Sequence, residues 1–104
     1  MNFSPSDDRY IYELVSKNIK YYRLHNNSKL SKYGKMTQEK LAEYCDISHS
    51  LISNIESAKV QQSFSLAILY RISKVLEIDI CKLFEERDEN GHLSKQKNES
   101  INNN

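Results

Sequence analysis

Apolar side chains recur at intervals of three and four through Ile11, Leu14, Val15, Ile19 and Tyr22, the spacing of one stripe along a helix. The pattern predicts a first helix from about Pro5 to His25. Ser4 can cap it, Pro5 suits the first turn, where its missing N–H is no loss, and Asp7 and Asp8 stand at the positive end of the helix dipole. Asn26 to Met36 has no period and reads as a loop carrying Lys29, Lys32 and Lys35. Thr37 is a natural N-cap for a short second helix to about Cys45, with Leu41, Ala42 and Cys45 on one side. Asp46-Ile47 breaks that helix, and Ser48 caps a third that runs to about Ser57. Lys59 to Ser63 is a polar loop. A fourth helix follows from about Ser65 to Leu76, with Leu66, Leu69, Tyr70, Ile72, Ser73 and Leu76 as its inner stripe. Asp79 caps a fifth, ending near Glu86 and burying Ile80, Leu83 and Phe84. No internal repeat is visible. From Asn90 onward the chain is asparagine-rich and too poor in large apolar residues to offset its ordering entropy, so residues 90–104 are expected to form a disordered tail after a single domain spanning 1–89.

Two short helices joined by a tight break, Thr37 to Ser57, have the spacing of a helix-turn-helix. At about 100° per residue, Ile52 and Ile55 share the core direction, which leaves Ser50, Ser53, Asn54 and Ser57 on the opposite side. His49 joins them at the exposed N-terminal end. This face of small and amide-bearing side chains can enter a major groove about 12 Å wide and present donors and acceptors to base edges. Asn54 is the strongest base reader, because its amide can pair bidentately with adenine. Such a face also occurs on helices that touch no nucleic acid, so the reading depends on the wider pattern.

Composition narrows the alternatives. The 104 residues suit one small domain, and only Gly34, Gly91 and Pro5 are available as backbone punctuation. Glycine-rich phosphate cradles are excluded, and an all-β sandwich would need turn residues every eight to twelve positions. The expected class is all-α. Cys45 and Cys81 are far apart in sequence, and each falls in an apolar run, which fits buried reduced thiols better than a zinc site or a disulfide framework. Met1 to Asp8 is polar and acidic where a secretory leader needs a basic start and an apolar stretch. No apolar segment approaches the ~20 residues of a membrane span. A cytosolic protein that needs no cofactor or metal is expected.

The stretches IKYYR (19–23), MTQEKLAEYCDIS (36–48), SLISNIES (50–57) and SLAILYRISKVLEIDICKLF (65–84), in this order and spacing, resemble the XRE family, the phage repressor and Cro type of helix-turn-helix domain. The resemblance covers about residues 19–84. It implies a five-helix bundle whose third helix lies in the major groove of double-stranded DNA. It further implies His49, Ser50, Ser53 and Asn54 as base-facing residues, with Gln38 and Lys59 on backbone phosphates. Thr37 and Lys35, beside Gln38, are expected to join the phosphate contacts. Arg23 and Glu56 match an arginine and a glutamate that pair in many relatives, tying the first helix to the third. A repressor of this type acts as a homodimer on an inverted repeat.

Three departures from that pattern have structural consequences. The turn between the second and third helices, usually glycine, is Asp46, which can take a left-handed conformation at moderate cost. The glycine common after the recognition helix is Ala58, so a local rearrangement with one or two extra helical residues is expected there. The connection from Arg23 to Gln38 is longer than in compact relatives, and its three lysines with Tyr33 point to an accessory grip on flanking phosphates.

Net charge, +1, conceals a polarity: Lys17 to Lys40 holds seven basic residues and one acidic, whereas Glu77 to Glu89 holds six acidic and two basic. The basic half belongs to the side expected to meet DNA.

Two rival classes remain at this stage. For an enzyme, Ser48, His49 and Ser50 are adjacent but splayed around a helix, Cys45 and His49 are separated by the Asp46-Ile47 break, and His25 and His92 lie far apart. For a protein-interaction module on the same fold, antitoxin-like or anti-repressor-like, the discriminating feature is a patch of exposed aromatics drawn from Tyr10, Tyr12, Tyr21, Tyr22 and Tyr33. The same patch could instead form the homodimer interface.

Overall fold

A computed structural model describes residues 2–57 and 62–87. It contains four α-helices, α1 (Pro5–Leu24), α2 (Gln38–Cys45), α3 (His49–Glu56) and α4 (Leu66–Leu76), and two 3-10 helices, Lys29–Tyr33 and Ile80–Phe84. No strand occurs among the described residues. Each helix start follows from its capping residue. The Ser4 backbone N–H donates to Asp7 Oδ2 at 2.8 Å. The hydroxyls of Thr37, Ser48 and Ser65 accept from Lys40, Leu51 and Ile68 backbone N–H groups. Each satisfies a donor that the first turn would otherwise leave unpaired.

Two helix ends use the left-handed conformation. Asp46 has φ 57° and ψ 48°, and Glu77 φ 55° and ψ 46°. After each, an isoleucine N–H reaches back to close the last turn: Ile47 to Ala42 O and Ile78 to Ser73 O, both at 3.0 Å. Both isoleucines then fold onto the core, the apolar contact that accompanies this type of cap. Asp46 therefore makes the turn that glycine makes in relatives, while Glu77 is a second such site that the sequence does not announce.

The core gathers one stripe from every helix, with Ile19, Leu41, Ile52, Ile72 and Leu83 fully enclosed. Asn18, on α1 and buried, donates through Nδ2 to Leu83 O (2.8 Å) and Glu85 O (2.7 Å), fastening the second 3-10 helix to α1. Tyr22 Oη donates to Glu85 Oε1 at 2.6 Å, and Arg87 pairs with the same carboxylate at 3.0 Å. Burial alone would raise the Glu85 carboxyl, but the Tyr22 hydroxyl and the charges of Lys82 and Arg87 outweigh it and hold the group below the ordinary carboxylate range.

Several expectations require correction. The fifth helix is a single 3-10 segment, Ile80–Phe84, because Asp79 caps only one short turn and Glu85 returns to extended backbone. The segment between α1 and α2 is not a plain loop, since Ser28 caps a 3-10 helix within it. Leu66 (72% exposed) and Tyr70 (55%) lie outside the α4 stripe, and Phe84 and Ile11 are also exposed. Cys45 is buried, but Cys81 is exposed. The α3 helix gains no extra residues: it stops at Glu56, and Ser57 is extended at φ −79° and ψ 129°. Ala58, Lys59 and the polar tail lie outside the described residues. Among the described residues, no helix is long and apolar enough to cross a membrane.

Candidate nucleic-acid interface

Helix α3 is eight residues long: Ile52 and Ile55 are buried, Leu51 packs against the core beside them, and the Glu56 side chain is enclosed at its end. The remaining four side chains lie toward the outside. His49 and Ser50 are exposed, and Ser53 and Asn54 are half-buried further along the same helix. Among the described residues, the face carries no lysine, arginine or carboxylate. Asn54 Nδ2 has one long contact, 3.5 Å to Gln62 Oε1. This is weak enough to yield to a better acceptor.

The start of α2 lies beside the end of α3 because one carboxylate joins them. Glu56, with its side chain 1% exposed, accepts from Arg23 Nε at 2.7 Å and Arg23 Nη2 at 2.8 Å. Arg23 Nη1 donates to Met36 O at 3.0 Å, so the guanidinium holds α1, the approach to α2 and the last turn of α3 together. Gln38 Nε2 also donates to Glu56 Oε1, at 3.1 Å. An amide nitrogen has two hydrogens, so this contact leaves one for a ligand. Thr37 uses its oxygen as the cap acceptor and keeps its hydroxyl hydrogen. Lys35 is exposed just ahead of both.

Residues that sequence reasoning missed act on the turn itself. Arg71, from α4, donates through Nη1 to Cys45 O at 3.3 Å and Asp46 O at 3.4 Å. It thereby satisfies carbonyls at the end of α2 and fixes the α2–α3 angle from behind. Its targets are backbone atoms in another element, so no side-chain motif signals the contact.

One of the candidate nucleophiles, Cys45, is unsuited to that role. Cys45 is buried, and that burial, only partly opposed by Arg71, pushes its thiol up to about 11. It is therefore protonated at neutral pH and shielded from exposed His49. Among the described residues, no group of three or more His, Cys, Asp or Glu is arranged to hold a metal ion. The tyrosines that could have formed a discriminating exposed patch are placed separately. Tyr12 packs edge-on against Phe64 at 5.1 Å, and Tyr21 and Tyr22 pack against each other at 5.2 Å. Tyr10 is exposed but donates to Glu86, and Tyr33 stands on the separate 3-10 segment.

Two short helices clasped at a left-handed turn, the second presenting hydroxyl and amide groups outward, define a helix-turn-helix domain of the DNA-binding transcription-regulator class. Residues 34–83 match the family model described as Helix-turn-helix. That match agrees, over its span, with the resemblance to XRE-type helix-turn-helix domains carried by the sequence. A similar solved structure is the crystal structure of the hypothetical transcription factor NHTF from Neisseria. It has a TM-score of 0.58 and 16% identity, over 90% of this chain and 85% of that chain. At that identity the likeness is one of fold. No match was found among curated proteins.

Proposed function

We propose that the protein binds double-stranded DNA sequence-specifically and represses transcription as a homodimer on an inverted repeat. The outward face of α3 carries this reading: four polar side chains, with no lysine, arginine or carboxylate among them, on a helix slender enough to enter the major groove. His49, Ser50, Ser53 and Asn54 meet base edges there. Asn54 contributes the most discrimination, and the hydroxyls are more permissive. Gln38, Thr37, Lys35 and Lys59 meet the backbone phosphates that set register. The Arg23–Glu56 pair is structural, and it orients Gln38 through the shared carboxylate.

One such helix covers too few base pairs to define an operator. A two-fold dimer presents two copies about one helical turn apart. Leu66 and Tyr70, one turn apart on the outer face of α4 and both exposed, support self-association, because apolar side chains at that spacing form a continuous strip. Occupancy of the operator then represses by excluding polymerase.

Selection from a random duplex pool at two salt concentrations tests the proposal. Enrichment of one motif, with two inverted half-sites, is the expected result. Retention of duplexes at low salt without any enriched motif would instead favour the protein-interaction reading of the same fold.

A further inference from the structure

The connection between α1 and α2 is a built element. Ser28 is buried, and its hydroxyl accepts the Leu30 N–H. Glu77 Oε2, at the end of α4, accepts the Lys29 N–H at 2.8 Å, and Leu30 packs against the core. At its far end, Lys40 Nζ, from the first turn of α2, donates to Tyr33 O at 3.2 Å. Gly34 then turns the chain at φ 107° and ψ −168°, a region essentially restricted to glycine. The segment is thus clamped to α4 behind it and to α2 ahead of it.

Its outer surface is basic and uncontested. Lys32, Tyr33 and Lys35 are all exposed, and Lys32 Nζ stands 5.1 Å from the Tyr33 ring centroid. An open cleft of about 460 Å³ separates the segment from the end of α1; Asn26, Ser31, Lys35 and Thr37 line it, and no acidic side chain does. Residues 29–33 of this arm precede the span matched by the family model, which starts at Gly34.

We infer that residues 29–35 form a preorganised arm that extends the DNA footprint beyond the helix-turn-helix. Lys32 and Lys35 hold backbone phosphates next to the one at the start of α2. The inference rests on the DNA-binding reading above and deepens it. Charge complementarity selects the occupant, and the Tyr33–Lys40 bond places it, since that bond makes the arm continuous with the α2 terminus. Because Glu77 and Gly34 fix the arm before DNA arrives, little ordering entropy is lost on contact.

The test is the salt dependence of binding, measured on the enriched duplex and on a random one. Lys32→Gln/Lys35→Gln should flatten the slope of log K against log salt by about 2 per protomer, roughly one per lysine and so about 4 for the bound dimer, and equally on both duplexes. Lys32→Arg/Lys35→Arg should restore the wild-type slope. Lys74→Gln/Lys82→Gln, which removes the same charge from the acidic end of the domain, should leave the slope unchanged. A wild-type slope in the Lys32→Gln/Lys35→Gln variant would overturn the arm and the phosphate role of Lys35 while leaving the α3 reading standing, and equal flattening by the Lys74/Lys82 control would overturn the arm as well. A wild-type protein that binds no duplex would overturn the arm together with the reading it rests on.

Discussion

Replacing Glu56 by alanine is expected to destabilise the domain by about 3–5 kcal/mol, the range for breaking a buried ion pair from one side. Arg23 would keep its contact to Met36 O but lose both bonds to the carboxylate, leaving a buried cation without its counter-charge. Gln38 would lose its partner as well. Small domains are stable by only about 5–15 kcal/mol in total, so one substitution removes a large share. The doubly apolar variant Arg23→Met/Glu56→Leu should be much less damaging, because neither charge is then stranded. Urea unfolding of the wild type, Glu56→Ala, Arg23→Met, Glu56→Leu and the double variant measures the loss and the coupling. A loss below about 1 kcal/mol for Glu56→Ala, the value typical of an exposed pair, would contradict the structural role assigned here.

The second large effect concerns specificity. Asn54→Ala should reduce discrimination between the enriched duplex and one changed at the contacted base pair by about 1–3 kcal/mol, the worth of one bidentate base contact. That corresponds to roughly 5- to 150-fold. Folding should hardly change, since among the described residues the side chain's hydrogen bond is the long 3.5 Å contact to Gln62. Gln38→Ala should weaken binding to every sequence alike, because phosphate contacts carry no base information. Competition binding with matched and mismatched duplexes separates the two patterns. Equal losses on both duplexes for Asn54→Ala would remove Asn54 from the readout set.

The helix-turn-helix was legible in the sequence because its signals are local. Thr37, Ser48 and Ser65 each accept a bond from a backbone N–H within their own first turn, so capping chemistry alone marks those starts. The left-handed Asp46 was legible from the resemblance, which puts a glycine at that turn. Apolar periodicity was less reliable. Leu66 and Tyr70 fit the α4 stripe by spacing, yet both face outward, because a stripe that wide exceeds the arc its neighbours can cover. The 3-10 segment at Lys29–Tyr33 offers only Leu30 to the core and is held mainly by Glu77, distant in sequence. Likewise, the work of Asn18 and Arg71 depends on backbone carbonyls brought close only by folding. Contacts of that kind leave no spacing to read. On the interface, residue types and helix geometry located the α3 face, whereas the bond between Gln38 and Glu56 emerged only from the structure.

The central claim is that α3, steadied at the start of α2, is the surface that meets DNA. Amide chemical-shift mapping of isotope-labelled protein titrated with the enriched duplex tests it most directly. The account predicts the largest shifts at Thr37 to Lys40 and His49 to Asn54, including the Asn54 side-chain amide. Shifts concentrated on the Leu66 and Tyr70 face of α4, with α3 unchanged, would contradict it.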